Sequence, residues 1–378
     1  MNLADMLTYA DIGQLTTIAE HYECECKRNS KHELIQSILV MLNRREFIEQ
    51  QVSRSSANDL RFLNILLFDG RSSYSLEELK ALIGQTAFDG KLEDKQKTES
   101  PREAISRYKR SGWLFNGMTN STKYLFQMPN DLKDRFRHEF GIMLRKQVCR
   151  TSEPSMYREE QNLCADDLAL FLRYVRDQHI DLNQEYIMYR RNQQQVMESL
   201  HVSEPLVTKG GWRFGYGRTF SSYPNRFALL YDFAYYHEYI AEDGMKLSLT
   251  PKGTAVLDGG MKESMVQIFR FWLRLYKQAI PNLVSLVYWT SECAKEWITV
   301  SSLHQAIGWL IKPYYYDTAE SILNERILKM MLHLGLLRIG ENEEGGAVVQ
   351  MTAWGLKLVG KSPVLGGGKL QTAIDKSW

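Results

Sequence analysis

The sequence lacks any large excess of charge. Lys and Arg number 47 against 45 Asp and Glu, a formal net charge of +2 over 378 residues. A polybasic nucleic-acid coat is thereby excluded, and any affinity for nucleic acid has to come from local patches. No segment approaches the run of about twenty apolar residues that a membrane helix needs, so no membrane partner is expected. The first residues, MNLADMLTYADIG, carry an early aspartate and no uninterrupted apolar run, so a signal peptide is not expected there. The five cysteines (Cys24, Cys26, Cys149, Cys164, Cys293) are odd in number and scattered. That distribution argues against a disulfide framework and for reduced thiols in a bacterial-type cytoplasm, nucleoid-associated or not.

Catalytic signatures are missing as well. The chain has no G-x-S-x-G elbow, no H-E-x-x-H and no Rossmann fingerprint. Asp166-Asp167 and Glu159-Glu160 are adjacent pairs, which point to different faces and rarely make an acid–base couple. His21, Cys24, Cys26 and His32 fall at no standard zinc spacing. Residues Gly355 to Ser362 match the P-loop pattern G-x-x-x-x-G-K-[ST] letter for letter. A P-loop needs a buried strand before it and a helix after it. Here Gly355 falls inside an expected helix, and Ser362 is followed by Pro363 and a Gly-rich tail. The expectation is a non-enzymatic chain with no catalytic residue, metal or cofactor.

What is present is a repeated grammar. Hydrophobic residues make up 44% and charged residues 24%, ordinary for a globular chain of roughly two to four compact units. Residues 326–359 read as a helix (Ile327, Met330, Met331, Leu334), a strand 336–339, an acidic Gly-rich turn 341–346, a second strand 347–351, and a short helix opened by Thr352-x-x-Gly355. A hundred residues earlier, strand 245–249 is followed by Thr250-x-x-Gly253 in the same way. A helix, a hairpin and a Thr-capped turn form the back half of a winged-helix module.

Nearer the N-terminus, Ser100-Pro101-Arg102-Glu103 is a well-formed helix start, with serine as cap, proline at the first position and Glu103 able to close a capping box. The helix it opens hides Ile105 and Tyr108 and carries Arg102, Arg107, Lys109 and Arg110. A strand follows at 122–128, with Lys123 on it. A basic third helix before a hairpin is the arrangement that reads DNA in winged helices; four cations in ten residues also describe a solvated face. In Lys209-Gly-Gly-Trp212-Arg213-Phe-Gly-Tyr216-Gly-Arg218, glycines, aromatics and arginines interleave as a single-strand or phosphate surface requires. Aromatic packing beneath a loop is the alternative there. Residues 9–44 suggest two short amphipathic helices and an extended link. They resemble the SAP-type helix–extension–helix, with Lys27, Arg28 and Lys31 as the matching DNA-contact candidates; a plain helical hairpin fits equally.

The expected fold is mainly α with small β-hairpins: a SAP-like hairpin (1–50), winged-helix modules at 51–150, 151–260 and 261–361, and a flexible tail (362–378), with a linker at 148–157. On Ser30-Lys31-x-Glu33-Leu34-Ile35, Leu249-Thr250-x-x-Gly253 and Met351-Thr352-x-x-Gly355, residues 9–359 resemble the bacterial helicase-associated family. That family is similar to the N-terminal region of XPB/Ssl-type DNA repair helicases. The resemblance implies duplex or forked DNA and an XPB-type helicase subunit as partners, in repair or transcription; no ATPase engine lies in the sequence, so helicase activity is not implied. A protein-interaction scaffold whose modules dock a partner enzyme without DNA is the competing expectation.

Overall fold

The computed structural model describes residues 1–88, 99–208, 213–259 and 264–361. It is mainly helical, with small antiparallel sheets, and the chain forms two compact units that divide between Gln147 and Val148.

In the first unit, α1 (Leu3–Tyr9), α2 (Ile12–His21) and α3 (Lys31–Leu42) close an apolar cluster of Leu3, Leu7, Leu15, Ile18, Leu34, Ile38 and Leu42. These residues recur every three or four positions, so each short helix turns one stripe inward. The Asp11 and Ser30 side chains cap α2 and α3. Then come α4 (Arg45–Arg54), α5 (Ala57–Phe68), α6 (Leu76–Gly84) and α7 (Pro101–Arg110), the last three each opened by a complete Ser-x-x-Asp/Glu capping box. The hairpin of β1 (Phe115–Asn116) and β2 (Phe126–Gln127) precedes α8 (Asn130–Arg145). Tyr74, between α5 and α6, lies antiparallel beside β2, exchanging both backbone hydrogen bonds with Phe126 at 2.8 and 2.7 Å. The order is helix, extended residue, helix, helix, hairpin.

The second unit repeats this order twice. First come β3 (Tyr157–Arg158), α9 (Leu163–Asp177), β4 (Ile180–Asp181), α10 (Arg190–Ser199), α11 (Asn225–Tyr236), the hairpin β5 (Ile240–Asp243) and β6 (Lys246–Leu249), and α12 (Pro251–Asp258). After α13 (Ser264–Tyr276) come α14 (Leu283–Cys293), β7 (Ile298–Thr299), α15 (Val300–Ile307), and a helical stretch of α16 (Ala319–Ser321), a π-helical segment (Ile322–Leu328) and α17 (Lys329–His333). The hairpin β8 (Leu337–Glu341) and β9 (Ala347–Met351) and then α18 (Ala353–Lys361) follow. In each copy the strand after the first helix pairs with the second hairpin strand: β4 with β6, and β7 with β9. Residues from both expected spans, 151–260 and 261–361, lie within this one unit, and α13 packs against α9, α11 and α14.

All three copies end the third helix in the same way. Gly112, Glu238 and Gly335 take left-handed φ values of 65°, 59° and 66°. The next residue's N–H then reaches back five positions: Trp113 to Tyr108 (2.9 Å), Tyr239 to Ala234 (2.8 Å) and Leu336 to Met331 (2.8 Å). This is the Schellman stop, which satisfies carbonyls that the helix end leaves orphaned. In the second unit the hairpin returns onto that stop. Thr250 Oγ1 donates to the Glu238 carbonyl at 2.6 Å and accepts from Gly253 N–H at 2.9 Å; Thr352 Oγ1 donates to the Gly335 carbonyl at 2.8 Å and accepts from Gly355 N–H at 2.9 Å. A Cβ at Gly253 or Gly355 would stand 2.1 Å from the carbonyl oxygen of Tyr239 or Leu336, so only glycine fits.

The structure departs from the sequence reading in places. Residues 148–157 are strapped onto the third copy rather than forming a free linker: Thr151 N–H donates to the Trp297 carbonyl at 2.9 Å, and β3 pairs with β8. The helix expected from Asn183 begins at Arg190, because the Asn183 side chain accepts from the N–H groups of Glu185 and Ile187 and holds a turn. Gly355 and Gly360 both lie within α18, so their stretch is helix rather than a phosphate-cradling loop; Ser362 and the tail fall outside the described residues.

Candidate nucleic-acid interface

Helix α7 is held by its cap, by its apolar face and by one of its own cations. Ser100 N–H donates to Glu103 at 2.8 Å while Glu103 N–H donates to Ser100 Oγ at 3.3 Å. The backbone bond at Ser100 keeps the Glu103 carboxyl below its ordinary range. Ala104, Ile105 and Tyr108 are buried. Arg107, on the flank between the two faces, bonds Asp59 and Glu99, each at 2.7 Å, and Tyr108 Oη donates to the same Asp59 carboxylate. Burial pushes the Asp59 pKa up, but the bonds from Arg107, Tyr108 and Ser56 outweigh it and the net shift is down. The bond to Glu99 comes first in raising Arg107. Arg107 is therefore committed to the fold and is dropped from the candidate contacts.

That leaves Arg102, Lys109 and Arg110, which with Ser106 share one stripe of about 100° along α7. Arg102 and Arg110 are exposed, and Lys109 is half-buried with its Nζ 5.6 Å from the Phe126 ring of β2. Beyond β1 the hairpin presents Lys123 and Tyr124, Tyr124 being 74% exposed. The tip is braced from within, because Asn116 donates to the Lys123 carbonyl at 2.8 Å and Gly117 N–H to Leu125 at 2.9 Å. Helix α2 packs against α7, and Tyr22 donates to the Ser111 carbonyl at 2.6 Å. Partial burial, and then the charge of Arg110, lower the pKa of His21. Lys27, Arg28 and Lys31 are all exposed at the link and first turn of α3, though Arg28 pairs with Glu20 at 2.8 Å.

The Lys209–Arg218 stretch has a different fate. Lys209 and Trp212 fall outside the described residues. Arg213 turns inward to the Tyr223 carbonyl (2.6 Å) and Asn225 (2.5 Å), and burial lowers its pKa. Tyr216 is buried, donates to Asp317 at 3.0 Å, and lies beneath the Arg326 guanidinium, itself 2.9 Å from Asp317. Arg218 pairs with Glu242 and stacks 4.0 Å from the Tyr235 ring centroid. Aromatic packing beneath a loop describes residues 213–218 better than an open stacking surface does.

The third helix of the second copy is buried rather than presented. On α11, every residue from Arg226 to Ala234 is buried. Arg226 sits 2.6 Å from Asp167 and 3.4 Å from Glu160, while His333 bonds Glu160 at 2.9 Å. Sequence reasoning missed this network, although the contrast inside each acidic pair is visible in the structure: Asp167 and Glu160 are buried, whereas Asp166 is exposed and Glu159 takes Arg338 at 2.6 Å. In the third copy the hairpin tip carries Glu341, Glu343 and Glu344, all exposed. In comparisons with known proteins, no protein-family model, no curated protein and no solved structure matches the chain.

Proposed function

We propose that the chain is a DNA-binding accessory protein built from three winged-helix modules, and that its first unit carries the duplex contact. The order helix, strand, helix, helix, hairpin, with the strand paired to the second hairpin strand, supports the winged-helix reading in all three copies. One observation carries the DNA reading: among the third helices, α7 alone turns a stripe of cations to solvent, beside a hairpin bearing an exposed Lys123. In this reading α7 enters the major groove through Arg102, Lys109 and Arg110, Lys123 lies on the backbone, and Lys27, Arg28 and Lys31 extend the phosphate track.

The test is a titration of the full chain with duplex and forked DNA across a range of salt. Replacing Arg102, Lys109 and Arg110 together by Ala should weaken binding and lower the log–log salt slope by up to about 3, near 0.9 for each of the three that neutralises a phosphate at the groove edge. No binding to either DNA at low salt would sink the proposal. The burial of α11 leaves the second unit without a groove-reading helix, and its exposed acidic β8–β9 tip favours protein contact. We therefore keep a helicase-type partner as its proposed ligand, to be sought by co-purification with and without the Glu341, Glu343 and Glu344 side chains.

A further inference from the structure

One feature of the second unit is spent on neither its core nor its hairpins. Between α15 and α16 the chain makes a tight corner in which Tyr314 and Asp317 exchange both backbone hydrogen bonds at 3.0 Å. The two residues at the corner are Tyr315 and Tyr316, 81% and 71% exposed. Tyr315 also holds φ at 49°, a left-handed conformation that side-chain-bearing residues rarely adopt. The corner is pinned from below. The buried Asp317 takes Arg326 at 2.9 Å, Tyr216 Oη at 3.0 Å and Ser321 Oγ at 3.1 Å, and Arg326 in turn donates to the Phe214 carbonyl at 2.8 Å. The Phe214 ring stands 5.9, 6.0 and 5.7 Å from the rings of Tyr314, Tyr315 and Tyr316. The fold thus braces four aromatic rings at a strained corner and leaves two of them in water.

We infer that the Tyr314–Tyr316 corner is a stacking platform for the unpaired bases of a single strand. Exposed rings at the tip of a turn offer flat faces, which suit a planar partner. Charge points the same way. Asp317 is neutralised by Arg326, and Lys312, exposed at the start of the corner, provides a cation for a phosphate. The platform shares no residue with α7, so it stands or falls separately from the duplex contact.

The experiment is fluorescence anisotropy of a fluorescein-labelled oligothymidylate with the full chain. The variants are Tyr315→Ala/Tyr316→Ala and Tyr315→Phe/Tyr316→Phe, with a duplex of equal length measured in parallel. Both positions are exposed, so neither variant threatens folding, and thermal melts confirm it. The Ala pair should lose about 10-fold or more in single-strand affinity and keep its duplex affinity, while the Phe pair keeps both, because stacking needs the ring and not the hydroxyl. An Ala pair that binds like the parent would overturn the inference. So would a Phe pair as weak as the Ala pair, an undetectable parent affinity, or an Ala pair that loses only a protein partner.

Discussion

Helices α7 and α11 occupy the same place in two copies of one arrangement, each following two other helices and ending in the same Schellman stop before a hairpin. Yet α7 spends one cation, Arg107, on its own unit and turns three outward, whereas α11 spends its only arginine on buried carboxylates and turns almost nothing outward. The difference lies in what surrounds each helix. In the second unit α13 packs against α11, and Phe271 meets Phe233 edge-on at 5.4 Å, covering ground that a groove-reading helix would need. Element order therefore fixes where a third helix goes, and its neighbours decide whether it faces solvent.

The largest effect that would test this contrast is on stability. Arg226→Met leaves Glu160 and Asp167 without their shared buried cation and should cost the second unit about 3–5 kcal/mol in urea unfolding, since one charge of a buried pair is worse than none. A loss below about 1 kcal/mol would mean that water reaches the network and that α11 is less enclosed than described.

Next in size is the acid response. Burial opposes ionisation of Glu160, but the hydrogen bond and charge of His333, then Arg226 and Arg158, hold its folded pKa below the usual 4.5. A carboxyl depressed by folding stabilises above its unfolded pKa and loses that contribution as pH falls through the folded value. Asp232, raised above 3.8 chiefly by burial, works in the opposite sense. Melting temperatures recorded from pH 7 downward should fall below about 4.5, and Glu160→Gln should flatten the fall. An unchanged profile in that variant would remove Glu160 from the network's account.

Smaller effects separate the two kinds of cation on α7. Arg107→Ala should cost the first unit about 1–2 kcal/mol through Asp59 and leave the salt slope of DNA binding within error. Arg110→Ala should do the reverse, with unchanged melting and a slope lower by about 1. Lys123→Ala should also lower the slope by about 1, with a modest loss of affinity. Arg218→Ala, tied to Glu242 in the second unit, should leave DNA binding untouched, and a clear loss there would place a contact where none is proposed.

The local parts of this picture were legible in the sequence. Ser100-Pro101-x-Glu103 announced α7, and the Thr-x-x-Gly pairs announced the hairpin ends, because caps and turns are written within four residues of one another. The network of Glu160, Asp167, Arg226 and His333 was not legible, because its members lie as far apart as 173 positions and meet only when the unit closes. The same limit hid the inward turn of Tyr216, whose partner Asp317 is 101 residues away. Short strands such as β4 and β7 carry two residues each, too few for alternation to register. The tyrosine corner was spelled out in plain letters at 314–316, yet only a backbone bond between its ends distinguishes a displayed aromatic run from a buried one.

The Thr-x-x-Gly clasp separates two duties within a single hairpin. The base is answerable to packing: Thr352 and Gly355 lock onto the Schellman stop, and a Cβ at Gly355 would stand 2.1 Å from the Leu336 carbonyl oxygen. The tip is tied more lightly, in one copy by the Leu182 N–H to the Met245 carbonyl at 2.7 Å. In one copy it is a turn of Gly244 and Met245; in the other it is a longer acidic bend closed by Asn342 on Gly346. Length and charge thus differ between the two tips above one and the same clasp, so the hairpin's reach is set apart from the socket that holds it.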